Sequence, residues 1–197
     1  MLKQSVLIIS LLFGRGLALS PPARADDARL IATHNKWSVY AVDEKGGKVC
    51  YMLSKPDKAE GKYTRREEIY ALITDRPADS SKNVFSYIAG YPYKPGSDAT
   101  ISIDDQKFTL FTQDDTAWAP DAATDEKIAQ AMAKGSDMVV RGTSARGTAT
   151  VDTYSLEGSG AAHKAMAQEC DANNSIIKNK SRPVMALPGP RIPSDNL

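Results

Sequence analysis

The sequence is poor in the residues and motifs on which most enzymes and nucleic-acid-binding proteins depend. It has 197 residues, with two cysteines, two histidines, and 25 basic residues against 24 acidic ones. A chain so close to neutral gives no electrostatic basis for binding nucleic acid, which requires basic patches that neutralise phosphates. Cys-x-x-Cys spacing, a Gly-x-Ser-x-Gly elbow and a phosphate loop with its lysine are also missing. We therefore expect no enzyme, no cofactor and no nucleic-acid partner.

The few side chains that suggest chemistry have structural explanations. His34 precedes the first predicted strand and His163 lies on the last predicted helix, without a visible cluster of metal ligands or acid–base partners. Ser155 is near His163 in sequence, but no nucleophile elbow surrounds it. Two acidic pairs, residues 104–105 and 114–115, would point to opposite faces of a strand, and aspartate favours turns for local reasons. The sequence therefore predicts no catalytic residue and no metal site.

The first 25 residues have the features of a secretory signal peptide. Lys3 supplies a positive charge, residues 6–13 form an apolar run, and residues 23–25 place small alanines where a signal peptidase reads. The run is shorter than the about 20 apolar residues that span a bilayer. We expect cleavage after Ala25 and export to the periplasm, with no transmembrane segment in the mature chain. An uncleaved membrane anchor is the alternative, and association with the outer envelope stays open.

Export bears directly on the two cysteines, Cys50 and Cys170. In an oxidising compartment an even number of cysteines favours a disulfide, and two cysteines allow a single intramolecular bridge. Closing a loop of this length stabilises a fold by about 2–4 kcal/mol. Two reduced thiols packed as small apolar groups are the alternative.

Alternating apolar residues predict several short strands arranged as hairpins. In the first hairpin Trp37, Val39 and Ala41 share one face, and residues 44–47 form a glycine-rich turn. Residues 54–66 are charged, contain proline and glycine, and predict a long loop that ends in a solvated charged run. The predicted strands are residues 36–42, 48–53, 68–74, 84–91, 100–103, 107–112, 138–143 and 148–156.

Two helices are predicted beside these strands. Between Thr124 and Lys134 apolar residues recur every three to four positions, with Thr124 as the N-cap and Gly135 at the end. The last helix runs from about Ser159 to Cys170, and its apolar stripe directs Cys170 toward the core.

The elements form one domain, residues 26–170, which follows the signal peptide, residues 1–25. About eight or nine short strands with frequent turn signals predict an all-β sandwich with two short helices. Residues 171–197 contain four prolines and no sustained apolar period. Such a segment buries too little surface to offset the entropy of ordering, so we expect a disordered tail.

Six stretches of the sequence resemble the invasion-associated locus B family of bacterial envelope proteins. They are residues 37–39 (WSV), 47–51 (GKVCY), 90–94 (GYPYK), 108–112 (FTLFT) with 117–118 (AW), 142–148 (GTSARGT), and 152–156 (DTYSL) with the helix that ends at Cys170. Their order is the same throughout residues 37–170. The resemblance implies an immunoglobulin-like β-sandwich exported to the periplasm or outer envelope, and it supplies no catalytic residue.

The chain departs from this family pattern at two positions. Ala41 stands where many relatives have cysteine, and a further cysteine pair of some relatives is missing, which leaves one disulfide. Ser159 stands where an aromatic residue commonly follows the glycine that corresponds to Gly158. We expect the second departure to remove a core anchor and to loosen the start of the last helix.

Tyr87, Tyr91 and Tyr93 with Lys94 form the candidate binding face. Aromatic rings beside a lysine bind glycans, peptides or envelope components by stacking and cation–π contacts, or else they complete the core. The long loop, residues 54–66, is a second candidate, because loops on a rigid sandwich often carry recognition.

The expected function is that of an exported, non-enzymatic module that binds an envelope or host protein or glycan through a loop face or a strand edge. An envelope-polymer hydrolase, whose site is assembled only in three dimensions, is the alternative. A purely structural envelope role is the third possibility.

The exported protein is expected to begin at Asp26 and to carry Cys50 and Cys170 as a disulfide. Intact-mass spectrometry before and after reduction and alkylation measures both features. A chain that keeps Met1 and has both thiols free to alkylate would contradict the expectation of export.

Overall fold

The structure, a computed structural model, describes residues 28–180. The predicted signal peptide, residues 1–25, and the final part of the predicted tail, residues 181–197, lie outside the described residues. Neither helix of the described part is long and apolar enough to cross a membrane.

The described residues form eleven strands and two α-helices. The strands are β1 (Arg29–His34), β2 (Trp37–Glu44), β3 (Gly47–Ser54), β4 (Lys58–Gly61), β5 (Tyr70–Arg76), β6 (Ser81–Ile88), β7 (Ala99–Ile103), β8 (Gln106–Gln113), β9 (Thr116–Trp118), β10 (Asp137–Thr143) and β11 (Ala149–Ser155). The helices are α1 (Ala122–Lys134) and α2 (Ser159–Lys180). Every predicted strand and helix is present, and β1, β4 and β9 are additional.

All the strands pair antiparallel in one continuous sheet of order β1-β2-β3-β5-β6-β9-β8-β7-β10-β11-β4. The sheet has two halves: one contains β1, β2, β3, β5, β6 and β9, and the other contains β4, β7, β10 and β11. The strand β8 belongs to both, because Leu110 lies opposite Ala99 of β7 while Phe111 lies opposite Trp118 of β9. Buried residues from both halves form a single hydrophobic core. The prediction of an all-β sandwich with two helices is confirmed, with eleven strands in the described residues.

The three additional strands lack the pattern by which strands are recognised in a sequence. The strand β4 lies inside residues 54–66, so the prediction of a continuous loop there is wrong. It pairs with β11 at the end of the sheet, and all four of its residues are exposed, so no apolar alternation marks it. The strand β9 has only three residues, and β1 is the other edge of the sheet.

The first hairpin follows the alternation of its sequence. Trp37 and Val39 are fully buried, and the turn pairs Glu44 with Gly47. The φ angle of Gly47 is 126°, which a residue with a side chain rarely adopts. The indole Nε1 of Trp37 donates to the carbonyl oxygen of Ser155 at 3.1 Å, so the hairpin is anchored to β11 in the other half of the sheet.

The helix α1 begins earlier than its sequence predicts. The carboxylate of Asp121 accepts the backbone N–H of Thr124 at 2.7 Å, so Asp121 is the N-cap and the assignment of Thr124 to that position is wrong. Aspartate and threonine both cap helices well. Because the helix begins after Asp121, the N–H of Thr124 is bonded to the aspartate, whereas with Thr124 as the N-cap this N–H would lie outside the helix. Ile128 and Met132 are buried, and the helix packs against β6.

The helix α2 continues beyond its predicted end. It extends to Lys180, so the backbone after Cys170 is helical where the sequence predicted the start of a disordered tail. The polar composition of this segment suggested disorder, but neither proline nor glycine interrupts it before Pro183. A helix already anchored by packing can continue through such residues.

A disulfide joins α2 to the first hairpin. The sulfurs of Cys50 on β3 and Cys170 on α2 are bonded, with the two Cα atoms 5.8 Å apart. Ala162, Met166 and Cys170 are all buried, as the predicted stripe requires. The last helix is therefore held on the sheet by apolar packing and by a covalent bond.

Ser159 holds the start of α2 in the absence of an aromatic anchor. Its side chain is buried and its hydroxyl donates to the carbonyl oxygen of Met132 at 2.5 Å, which links α2 to α1. The helices approach closely at this point, since a Cβ on Gly160 would lie 2.5 Å from the carbonyl oxygen of Ala133. A hydrogen bond thus replaces the missing ring contact.

An acidic side chain is buried at the end of β5. Asp75 is 3% exposed and accepts the backbone N–H of Asn83 at 2.7 Å. Burial raises the pKa of Asp75, although the hydrogen bond from Asn83 and the charge of Lys82 oppose the shift. A raised folded-state pKa means that Asp75 stabilises the fold while protonated and loses this contribution as the pH rises.

Asp75→Asn is expected to gain stability relative to the unmodified protein as the pH rises from about 4 to about 7. The amide keeps an acceptor for Asn83 but carries no buried charge. Denaturant unfolding at several pH values measures the difference, and Asp105→Asn, at an exposed turn, corrects for the loss of one negative charge. A difference that is constant or decreases with pH would contradict this account of Asp75.

Candidate functional site

The four residues of the predicted binding face do not form one exposed surface. Tyr87 and Tyr93 are buried, with 1% and 5% of their surface exposed. Tyr91 is half-buried and Lys94 is exposed. Two of the four side chains therefore belong to the core, and the others lie at its border.

Tyr91 lies instead in an open cleft that also contains part of the long loop. The cleft has a volume of about 710 Å³, within the range of about 300–1,000 Å³ typical of small-molecule sites. Four segments line it, which are residues 62–67, residues 90–92, residues 114–115, and the turn between β10 and β11 with its flanking residues. The two regions that the sequence suggested for recognition thus meet at one place.

Backbone hydrogen bonds fix these segments around residues 90–93. The N–H of Glu67 donates to the carbonyl oxygen of Gly90 at 3.0 Å, and the N–H of Tyr93 donates to that of Asp114 at 2.7 Å. The N–H of Ala145 donates to the carbonyl oxygen of Pro92 at 2.8 Å. These bonds join residues 90–93 to each of the other three segments, and we refer to residues 90–92, which line the cleft, as its floor.

Glycine is required at the start of this floor. The φ angle of Gly90 is 70°, in the left-handed region, and a Cβ there would lie 2.5 Å from the carbonyl oxygen of Glu67. Any side chain would push the loop away from the floor.

A buried ion pair adjoins the floor, and one of its members, Arg66, belongs to a segment that lines the cleft. The guanidinium of Arg66 donates two parallel hydrogen bonds to the carboxylate of Asp152, each 2.7 Å long. Its Nε donates to the carbonyl oxygen of Ala89 at 2.7 Å, and the hydroxyl of Tyr87 donates to the same carboxylate. The side chains of Arg66 and Asp152 are 3% and 1% exposed. The loop is thereby fixed to β6 and β11 at once.

The electrostatics of this network keep Arg66 ionised. Burial disfavours the charge on Arg66, but the hydrogen bond and the charge of Asp152 outweigh burial and raise the pKa of the guanidinium. Burial also raises the pKa of Tyr87, so its hydroxyl stays protonated and remains a donor. A group so firmly paired is suited to positioning the loop and not to proton transfer.

Two tyrosine rings pack on the guanidinium of Arg66. Its Cζ lies 5.5 Å from the ring centroid of Tyr63 and 4.8 Å from that of Tyr91, within cation–π distance. The hydroxyls of Tyr91 and Thr150 are hydrogen-bonded at 2.6 Å. Each ring is half-buried and lines the cleft.

The rim of the cleft carries charges of both signs. The basic side chains are Lys62, Arg65 and Arg146, and the acidic ones are Glu67, Asp114 and Asp115. All except Asp115 are exposed, and Asp115 accepts a hydrogen bond from the hydroxyl of Thr116 at 2.9 Å. The rim therefore offers both donors and acceptors.

The other side chains considered for chemistry lie away from the cleft. His34 is the last residue of β1 and does not precede the first strand. The Nε2 of His163 is 2.7 Å from the Oδ1 of Asn83. Asp104 has a φ of 46° in a turn and accepts the N–H of Ser136 at 3.2 Å. Within residues 28–180, no group of three or more histidine, cysteine or acidic side chains is placed to hold a metal ion.

Arg66 and Asp152 are the site residues that sequence reasoning missed. The sequence placed Arg66 in a solvated charged run, and this assignment is wrong because the side chain is buried. A signal existed on β11, where Thr150, Asp152 and Tyr154 alternate as buried residues. A buried carboxylate is costly unless it is paired or protonated, so an acidic residue at an inward position of a strand suggests a cationic partner.

Arg66→Met is expected to lower the free energy of unfolding by about 3–5 kcal/mol, because Asp152 remains buried without its cation. Arg66→Lys should recover only part of the lost free energy of unfolding, since an ammonium cannot reproduce both the bidentate pair with Asp152 and the bond to Ala89. Denaturant unfolding measures these changes. The neighbouring exposed residue provides the control, Arg65→Met, whose effect should stay within about 0.5 kcal/mol. Equal losses at positions 65 and 66 would contradict the role of the ion pair.

Comparison with known proteins places the chain in a family. Residues 37–167 match the family model described as invasion associated locus B (IalB) protein. The chain is similar to invasion associated protein B from Bartonella henselae, of known crystal structure, with 15% identity and a TM-score of 0.45, over 77% of this chain and 98% of that one. A comparison with curated proteins gives no match. Since the family model matches more than half of the chain, the protein belongs to the invasion associated locus B family.

Proposed function

We propose that this protein is an exported, non-enzymatic module of the cell envelope that binds an envelope or host component in the cleft between residues 62–67 and residues 90–92. Three observations support this proposal. The N-terminal 25 residues have the pattern of a signal peptide, the two cysteines are joined in a disulfide, and the chain belongs to the invasion associated locus B family.

The cleft itself carries the binding proposal. Its floor is immobilised by a buried network in which the guanidinium of Arg66 donates four hydrogen bonds, to Asp152, Ala89 and Tyr87. Around this floor the rim side chains other than Asp115 are exposed and available to a ligand. A rigid base beneath accessible polar groups lowers the entropic cost of binding, because the site is formed before the ligand arrives.

One observation favours a hydrolase as the second candidate. The carboxylates of Glu67, Asp114 and Asp115 line the same cleft, and glycosidases use two carboxylates that flank the scissile bond. Catalysis of that kind needs one acid kept protonated by an apolar pocket. Glu67 and Asp114 are exposed, and Asp115 accepts a hydrogen bond from the hydroxyl of Thr116 instead of lying in an apolar pocket. The buried acid, Asp152, is paired with Arg66. The geometry therefore favours binding.

The mature chain, residues 26–197, is expected to bind saturably to at least one of three probes, namely isolated cell-wall sacculi, outer-membrane vesicles and immobilised host extracellular matrix. The double variant Arg65→Ala/Arg146→Ala should weaken that binding about tenfold, because two rim donors to the ligand are lost. Sedimentation or surface binding assays measure the affinity.

Arg141→Ala is the matched control, since Arg141 is an exposed arginine on β10 that does not line the cleft. Its binding should equal that of the unmodified protein. Absence of binding to all three probes, or an equal loss in the control, would refute the role of the cleft. Release of soluble fragments from sacculi that disappears in Glu67→Gln would instead establish the hydrolase.

A further inference from the structure

The aromatic part of the cleft is rigid. Tyr63 and Tyr91 both pack on the guanidinium of Arg66, whose hydrogen bonds to Asp152 and Ala89 prevent it from turning toward a ligand. One side of each ring faces the cation, Tyr91 also packs edge-to-face against Tyr93 with the ring centroids 5.3 Å apart, and both Tyr63 and Tyr91 are half-buried at the lining of the cleft. A ligand therefore meets two aromatic surfaces in fixed positions.

The charged part of the cleft is balanced. Three basic and three acidic side chains lie on its rim, and none of the ion pairs found within residues 28–180 involves them. A polyanion would be attracted by Lys62, Arg65 and Arg146 but repelled by the three acidic side chains. A polycation would be attracted by the acidic side chains but repelled by the basic ones. Balanced charges favour a ligand without net charge that needs many donors and acceptors.

A tyrosine of the cleft also contacts the last strand of the sheet. The strand β4 ends at Gly61 and is the last strand of the sheet. The carbonyl oxygen of Ala59 on β4 accepts the hydroxyl of Tyr63 at 3.0 Å. Tyr63 is therefore held by β4 as well as by the guanidinium of Arg66.

Sugars have the chemistry that these features require. The C–H groups of a sugar ring carry partial positive charge and pack on the negative face of an aromatic ring. Each sugar hydroxyl is both a donor and an acceptor, so it can bond to a guanidinium on one side and a carboxylate on the other. We propose that the cleft binds a glycan whose sugar units carry no net charge. This proposal rests on the proposed binding function and names the class of its ligand.

A panel of defined oligosaccharides tests the proposal on the mature chain. It contains neutral oligomers of N-acetylglucosamine, glucose, mannose and galactose, an anionic oligomer of galacturonate, a cationic oligomer of glucosamine, and a capped neutral peptide. At least one neutral oligomer is expected to bind about tenfold tighter than the charged oligomers and the peptide. Its affinity should change less than about twofold between about 50 and 300 mM salt, since no net charge is neutralised.

Variants of the tyrosines separate ring stacking from hydrogen bonding. Tyr63→Leu should weaken the best neutral oligomer about tenfold, whereas Tyr63→Phe should bind it normally because the ring remains. Tyr40→Leu is the matched control, since Tyr40 is half-buried in a ring pair on β2 outside the cleft. Thermal unfolding of each variant excludes loss of the fold as the cause.

The outcomes distinguish this proposal from the one on which it rests. If cell-wall sacculi, outer-membrane vesicles or matrix bind through the cleft but every neutral oligomer fails, the glycan proposal is overturned and the binding function stands. Preference for the galacturonate oligomer, the glucosamine oligomer or the peptide overturns it as well. If neither the oligomers nor any of the three larger probes bind, both proposals fail.

Discussion

The buried pair of Arg66 and Asp152 is the interaction on which the cleft depends. Taking two charges out of water is costly, and the cost is recovered only where the geometry is good and the remaining polar atoms are satisfied. Here the pair is bidentate, and the carbonyl oxygen of Ala89 and the hydroxyl of Tyr87 complete it. Removing either charge would leave the other unpaired, so the loop of residues 62–67 is held to the sandwich more firmly than its length suggests.

The sandwich supplies the frame for this pair through two separate constraints. The period-two burial of β2, β3 and β5 builds a core between the halves of the sheet. The disulfide between Cys50 and Cys170 then fixes α2 against the same strands. Because β6 and β11 are each paired with a strand on both sides, the groups that bind Arg66 from these two strands, Tyr87 and Asp152, occupy fixed positions.

The fold was largely predictable from the sequence, because alternation in strands such as β2 and β7 directly reflects which side chains face the core. Short or exposed strands such as β4 leave no such trace.

The site was predictable only in part. The sequence suggests Tyr91 and the long loop as two separate candidates, and the structure brings them together in one cleft, but Tyr87 and Tyr93 belong to the core. Arg66 was assigned to the surface because local charge patterns do not reveal a partner 86 residues away.

Hydrogen exchange at the backbone amide of Glu67 tests the central claim most directly. This N–H donates to the carbonyl oxygen of Gly90 and directly follows Arg66 in the chain. If the ion pair holds the loop on the floor of the cleft, the amide exchanges about as slowly as the core amides of β3, through global unfolding. Exchange at the rate of an exposed loop amide would contradict a preformed site.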